Sequence, residues 1–240
     1  MKLDATKYEL LNPSDDKFLR DTILSFILAG RDAISSALTW FFWILSVNPQ
    51  VVTKIRKEIN TTLPRTSGQK RACYDDDDSI EFLNKLVYLS GALYEAMRLY
   101  PPVPFERMSP VKPDVLPSGH KVDASMKILI FLYALGRMEA VWGQDALEYK
   151  PERWVSKTGV LVEEPSYKFF AFFGGPRACL GKHLAMRVMK MVVVEILQNY
   201  DFKVVEGQKI EPAPGPILRM KHGLRVKLTK RYPLKEYKVL

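Results

Sequence analysis

The chain has 240 residues, 47% of them hydrophobic, with 16 prolines and 13 glycines, enough apolar content for one substantial core and too little bias for a low-complexity or fibrous protein. Its formal net charge is +9, but Lys and Arg are scattered and no nucleic-acid motif accompanies them, so a solvated basic surface is expected and no nucleic acid partner. Two cysteines, Cys73 in a polar run and Cys179 among glycines, argue against a disulfide framework and suit a reducing compartment.

Residues 1–14 are polar, and Met1-Lys2-Leu3-Asp4 is neither apolar nor transit-like, so no leader or anchor is expected there. Ser14 or Asp15 can cap a helix that runs to Val47 and is stopped by Asn48-Pro49. Some thirty residues at about 1.5 Å each make a rod of roughly 45 Å. Arg31 and Asp32 sit mid-rod, and each costs about 2.5–3.5 kcal/mol at a bilayer centre, so a helix crossing a protein core is expected rather than a membrane span. Gly30 costs about 1 kcal/mol relative to alanine and suggests a local opening or a close neighbour. Asp32 beside it is either ion-paired or placed for proton work. Ser36 follows four residues on along the same face, while Ala33 offers no hydroxyl.

Val51 to Ile59 reads as a short helix, and Thr61 to Asp78 as a solvated polar loop ending in four aspartates. Ser79 to Tyr100 reads as one amphipathic helix stopped by Pro101-Pro102, with Glu95 and Arg98 on one side of it. An exposed pair of that kind would contribute little. Pro102 to Arg107 is extended, and Val111 to Lys121 is a turn between short strands. Lys127 to Leu132 is a buried strand, followed by a helix opening at Tyr133. Asp201 to Val205 and Leu224 to Leu228 alternate at period two, with Pro212 to Pro216 a rigid loop between them.

Between these lies Phe169-Phe170-Ala171-Phe172-Phe173-Gly174-Gly175-Pro176-Arg177-Ala178-Cys179-Leu180-Gly181. Gly174 and Gly175 permit backbone angles closed to other residues, and with Gly181 they let something flat approach the main chain. An apolar helical pattern runs from Leu180 to Tyr200, placing Cys179 at its first turn, where helix amides favour a thiolate. Arg177 adds a fixed cation with a fork suited to a carboxylate. Alone, such a cysteine is either an inert thiol or a ligand.

The order Phe172, Gly175, Arg177, Cys179, Gly181, at spacings of two, one, one and one, resembles the heme-binding signature of the cytochrome P-450 superfamily, the heme-thiolate monooxygenases. By that resemblance Cys179 is the axial metal ligand of heme b (iron protoporphyrin IX), Arg177 pairs with a propionate, and Phe172, Gly175 and Gly181 shape the cofactor loop. Ala29-Gly30-Arg31-Asp32-Ala33 resembles the family's oxygen-activating helix, with Ala33 where the pattern has threonine. Asp32, Ala33 and Ser36 then occupy the catalytic stretch, and water or Ser36 is expected to replace the missing hydroxyl in part. Glu95, Arg98 and Arg153 resemble the structural glutamate-arginine-arginine lock. Ala29, Val103, Pro104 and Phe105 are expected to touch substrate.

The resemblance implies a mainly α fold with small β-sheets, the C-terminal half of the cytochrome P-450 fold, with residues 1–240 a single partial domain. The N-terminal half and membrane anchor are then absent. Within the family the chain is most similar to the plant clan that hydroxylates fatty acids, alkanes and their alcohols, and most like the mid-chain alkane hydroxylases. The implied activity is insertion of one oxygen atom of O2 into a C–H bond of a long-chain aliphatic substrate. Electrons come from NADPH through a flavoprotein reductase, at the cytosolic face of the endoplasmic reticulum membrane. Lys168, Lys182, Arg187 and Lys190 are expected to face that reductase. The 240-residue chain by itself is expected to hold heme weakly or not at all; the alternative is a non-catalytic remnant.

Overall fold

A computed structural model describes residues 15–62, 77–213 and 215–231. Residues 1–14, Cys73 and most of the polar loop before Asp77 lie outside the described residues. The first helix, α1 (Asp16–Val47), starts where Asp15 accepts a hydrogen bond from the Lys17 amide at 2.9 Å and ends at Asn48, as the capping and proline signals predict. Its burial is confined to one end: Ser36, Ala37, Trp40, Phe41, Ile44 and Leu45 are buried, whereas Ile23, Leu24, Phe26, Ile27 and Leu28 are exposed. The expectation of a helix buried along its length holds only for that second half. Gly30 sits in regular helix with open space around it, so neither an opening nor a close neighbour explains it.

Helix α2 (Pro49–Thr62) extends the predicted Val51–Ile59 segment at both ends and buries Val51, Ile55 and Ile59 at a spacing of four. The predicted Ser79–Tyr100 helix is two helices, α3 (Asp77–Lys85) and α4 (Val87–Leu99), broken at Leu86. Thus Thr61 and Thr62, like Asp77 and Asp78, belong to helices rather than to the predicted loop. Nor is α4 amphipathic. From Leu89 to Leu99 every residue is buried, because α1, α2, the helices Leu132–Leu135 and Lys182–Asn199 and a 3-10 turn at Pro151–Trp154 pack around it. Gly91 allows that turn to approach: a Cβ there would lie 2.9 Å from the Pro151 carbonyl oxygen.

The strands are short and paired two by two: β1 (Glu106–Met108) with β4 (Ile128–Ile130), and β2 (Asp114–Val115) with β3 (Lys121–Val122), all antiparallel. The predicted buried strand at Lys127–Leu132 is reduced to β4, whose Leu129 is exposed. Helices α5 (Leu132–Leu135) and α6 (Glu139–Trp142) follow. Helix α7 (Lys182–Asn199) leads into β5 (Tyr200–Val204), which pairs with β8 (Val226–Lys230) along the two alternating segments. Between them β6 (Pro212–Ala213) and β7 (Arg219–Met220) form a small hairpin where a rigid loop was expected. About half helical with small antiparallel sheets, the described residues match the predicted fold class. Among them no helix is long and apolar enough to cross a membrane.

Candidate heme-thiolate site

Cys179 lies in an exposed loop between Phe172 and α7, not in the first turn of the helix. Gly181 caps α7, so the helix starts three residues after the sulfur. The loop is closed by its own backbone: the Cys179 amide donates to the Phe172 carbonyl at 2.8 Å, across the 3-10 turn Gly175–Arg177. Gly175 has φ +62°, a left-handed angle that a side chain would strain. Its neighbour Gly174 is extended instead and serves close packing, since a Cβ would fall 2.7 Å from Ser166 Oγ. The second left-handed residue is Phe173 at φ +61°, which the glycine-based reading missed. For an L-residue this geometry costs on the order of 1–2 kcal/mol, and the ring contact to Phe170 at 4.6 Å helps to hold it. A Cβ on Gly181 would sit 3.9 Å from Cys179 Sγ, so the glycine keeps one side of the sulfur clear.

One end of this loop is anchored in the core. Phe172 and Phe169 pack on Tyr94 with ring centroids 6.5 and 5.5 Å apart, and Phe169 meets Trp154 edge-on at 4.7 Å. Trp154 in turn donates from Nε1 to Glu95 Oε2 at 2.9 Å. The structure thereby links the cysteine loop to Glu95, Arg98 and Arg153, which it gathers into one network. Glu95 is fully buried and accepts five hydrogen bonds: two from Arg98 at 2.8 Å, and one each from Arg153 Nε at 3.2 Å, the Lys150 amide at 3.0 Å and Trp154.

Arg98 uses all five of its N–H donors. Besides Glu95 it donates to the carbonyls of Gly136, Ala146 (2.5 Å) and Glu148 (2.9 Å). Gly136 is required there, because a Cβ would collide with the Arg98 carbonyl oxygen. Arg153 continues to the carbonyls of Trp142 and Asp145, at 3.1 and 2.7 Å. Hydrogen bonds from Lys150 and Arg153 hold the Asp145 carboxyl down at about 2. The Glu95–Arg98 pair is therefore buried and saturated, not the weak exposed pair that its spacing alone also allows.

The α1 stretch forms a separate group. Asp32 bonds Arg31 Nε at 2.9 Å and Arg219 Nη2 at 2.6 Å, and the Arg31 hydrogen bond holds its carboxyl below the usual range. Ser36 donates to the Leu218 carbonyl at 2.7 Å. Ala33 is half-buried, and Ala29 is exposed. Val103 and Pro104 are half-buried and Phe105 exposed, in a segment tied to the hairpin by the Leu218 amide, which donates to the Pro102 carbonyl at 2.8 Å. None of these partners belongs to the cysteine loop.

Of the four basic residues expected on one face, Arg187 is exposed, Lys168 pairs with Glu164 at 2.7 Å and Lys182 with Glu163 at 3.4 Å. Lys190 is buried: its ammonium donates to the Leu83 carbonyl at 2.9 Å, and burial pushes it down to about 8. Set on the inner side of α7, it cannot present charge to a partner.

A family model described as Cytochrome P450 matches residues 3–228. The chain belongs to that family. It is 61% identical over 231 residues to the alkane hydroxylase MAH1 of Arabidopsis thaliana, covering 96% of this chain and 44% of that protein. It is 46% identical over 233 residues to noroxomaritidine synthase 2 of Narcissus aff. pseudonarcissus MK-2014, covering 95% of this chain and 45% of that protein. Against cytochrome P450 86B1 of Arabidopsis thaliana the figures are 46% over 219 residues, with 90% and 39% covered. This P450 chain thus spans less than half the length of the curated relatives it matches. Its residues fit the cofactor of the family: an unpaired exposed thiol, a backbone-closed loop, a bare glycine beside the sulfur and exposed Arg177 two residues before it.

Proposed function

We propose that this chain supplies the C-terminal part of a heme-thiolate monooxygenase that hydroxylates long-chain aliphatic compounds, alkanes, fatty acids or their alcohols. The observation that carries the reading is the exposed Cys179 thiol, presented by the Phe172–Gly181 loop of a chain that belongs to the cytochrome P450 family. Identity of 61% to a protein named as an alkane hydroxylase supports the substrate class. Heme b, when bound, supplies the activation of O2 with electrons delivered from NADPH by a flavoprotein reductase.

Each residue contributes a defined task. Cys179 Sγ would hold the heme iron, and the backbone bond to Phe172 keeps the loop that carries the sulfur closed. Arg177 would pair with a propionate. Gly175 makes the turn, and Gly181 leaves room for a flat ring beside the sulfur. Asp32 holds or moves a proton at its carboxylate oxygens, next to Ala33, which can do neither, and Ser36. Glu95, Arg98 and Arg153 keep the loop's foundation rigid through Trp154 and Phe169. Ala29, Val103, Pro104 and Phe105 contact the aliphatic chain. Residues 1–240 act as one partial domain, at the cytosolic face of the endoplasmic reticulum membrane.

A second reading, a chain that folds and holds no heme, is favoured by the exposed apolar side chains of α1, which leave the Ala29–Ala33 stretch without a wall among the described residues. Reduced protein titrated with heme under carbon monoxide, with this chain joined to the N-terminal portion of the Arabidopsis alkane hydroxylase, separates the two. A red-shifted Soret band that disappears in Cys179→Ser is the expected result for the monooxygenase. The same band in the variant, or none in a chimera where this chain replaces the matching portion of the Arabidopsis alkane hydroxylase, overturns it.

A further inference from the structure

Helices α3, α4 and α7, with the segment around residue 161, border a cavity of about 340 Å³, at the lower end of the range of small-molecule sites, roughly 300–1,000 Å³. Leu83, Val87, Leu161 and Met186 form its apolar wall, and no residue of the Phe172–Gly181 loop lines it.

Two polar side chains, each more than nine-tenths buried, line this cavity with bonding capacity left over. Tyr94 is 6% exposed, its ring is held by Trp154, Phe169 and Phe172, and its hydroxyl has no hydrogen-bond partner among the described residues. The charge of Glu163, which lines the same cavity, acts on that hydroxyl. Lys190 is 8% exposed and spends one of its three ammonium donors, on the Leu83 carbonyl. It makes no ion pair among the described residues. Glu58 is the acid whose charge reaches it, but the Glu58 oxygens accept from the Tyr88 and Leu89 amides at 2.6 and 2.9 Å. A buried ammonium in that position is costly until an anion meets it.

The remaining charges have the same sign. Lys182 and Arg187 also line the cavity, and Glu163, the one acid among the lining residues, is taken up by Lys182 at 3.4 Å. Arg187 is exposed and has no ion-pair partner among the described residues. Because Lys190 is recessed, a small molecule reaches it and a flat protein surface does not. An apolar wall beside a single buried ammonium suits a monoanion with an apolar body, since a dianion such as phosphate costs more to desolvate.

We infer that this cavity is a binding site for a small organic carboxylate, whose anionic end meets the Lys190 ammonium and the Tyr94 hydroxyl while its body rests on the apolar wall. Lys182 and Arg187 draw the anion in from solvent. Binding there needs no heme and stands apart from the monooxygenase reading.

Methyl NMR of the methionine-labelled 240-residue chain, titrated with benzoate, reads the site directly. The Met186 signal, identified as the one missing in Met186→Leu, shifts saturably, and benzamide, the neutral isostere, leaves it in place. Lys190→Met weakens benzoate at least tenfold, Tyr94→Phe about tenfold, and Arg187→Gln about twofold, as expected for charge-assisted hydrogen bonds at depth and a screened charge at the surface. Tyr94→Phe removes a group without a protein partner, so it stays informative should Lys190→Met unfold. Where the 240-residue chain gives unfolded signals, the same titration of the chimera with the Arabidopsis alkane hydroxylase decides. No shift at Met186, or parent-like affinity in Tyr94→Phe and Lys190→Met, refutes the site. Equal or tighter saturation by inorganic phosphate makes it a bare-anion site and overturns the carboxylate assignment. A tighter, Lys190-dependent response to a polyglutamate peptide assigns it to an acidic protein segment and overturns the small-molecule assignment.

Discussion

Glu95 and Asp32 each hold two arginines, and they do opposite things. Glu95 has no exposed surface, and its partners Arg98 and Arg153 are 0% and 16% exposed. Asp32 is 27% exposed, and Arg31 and Arg219 are 66% and 62% exposed. The same charges at similar distances make a permanent core network in one place and a solvent-touched clasp in the other. What separates them is the count of additional donors and acceptors, because a buried ion pair is stable only when every remaining hydrogen-bonding group is matched.

The largest expected effect breaks the buried member. Glu95→Gln leaves the buried Arg98 guanidinium without a counter-charge, while Arg153 keeps Asp145, and urea unfolding is expected to show a loss of about 3–5 kcal/mol. A midpoint equal to the parent's would show that burial does not distinguish the two regions. Lys190 sharpens the contrast with a buried cation whose ammonium donates to the Leu83 carbonyl and whose nearby counter-charge is Glu58. Its folded value of about 8 lies below the ordinary 10.5, so the folded state favours the neutral amine. Stability is then penalised below pH 8 and recovers as pH rises from about 8 to 10.5, by at most about 3 kcal/mol. Lys190→Met is expected to flatten that alkaline rise in unfolding free energy; a slope that persists assigns it to other groups. The smallest effect belongs to the clasp. Arg219→Gln leaves the neutral-pH unfolding midpoint essentially unchanged, since both partners touch solvent. Asp32 is held below the usual carboxyl range, so its contribution exists above that range and disappears as pH falls through its depressed value. Loss of a weak acid-side slope in Arg219→Gln is the measurable trace.

Local signals carried the reading where the chain decides its own geometry. Asp15 as a cap and Asn48-Pro49 as a stop appear as the residues imply, and the two predicted segments do pair as strands, although only β5 alternates in burial and β8 runs Val226–Lys230 with every residue exposed. The cysteine motif was legible as a pattern, yet its neighbouring helix begins at Lys182 because Gly181 takes the cap position. What stayed hidden depends on partners far along the chain. The burial of α4 on all sides follows from five elements packed around it, and no residue within Ser79–Tyr100 announces the break at Leu86. Arg98's other acceptors are backbone carbonyls, which any sequence could supply. Lys190 looked like a surface cation for the same reason: its acceptor is the carbonyl of Leu83.

The separation of Glu95 from Arg153, 58 residues, has a consequence for biosynthesis. At roughly 5–20 residues per second, about 3–12 seconds pass between the emergence of the acid and that of the turn that completes its hydrogen bonds. Through that interval a helix buried from Leu89 to Leu99 waits on the ribosome with three of its acid's five donors still missing. The nascent polypeptide cannot close its centre until the Lys150–Trp154 turn arrives, which makes that turn a late checkpoint in assembly.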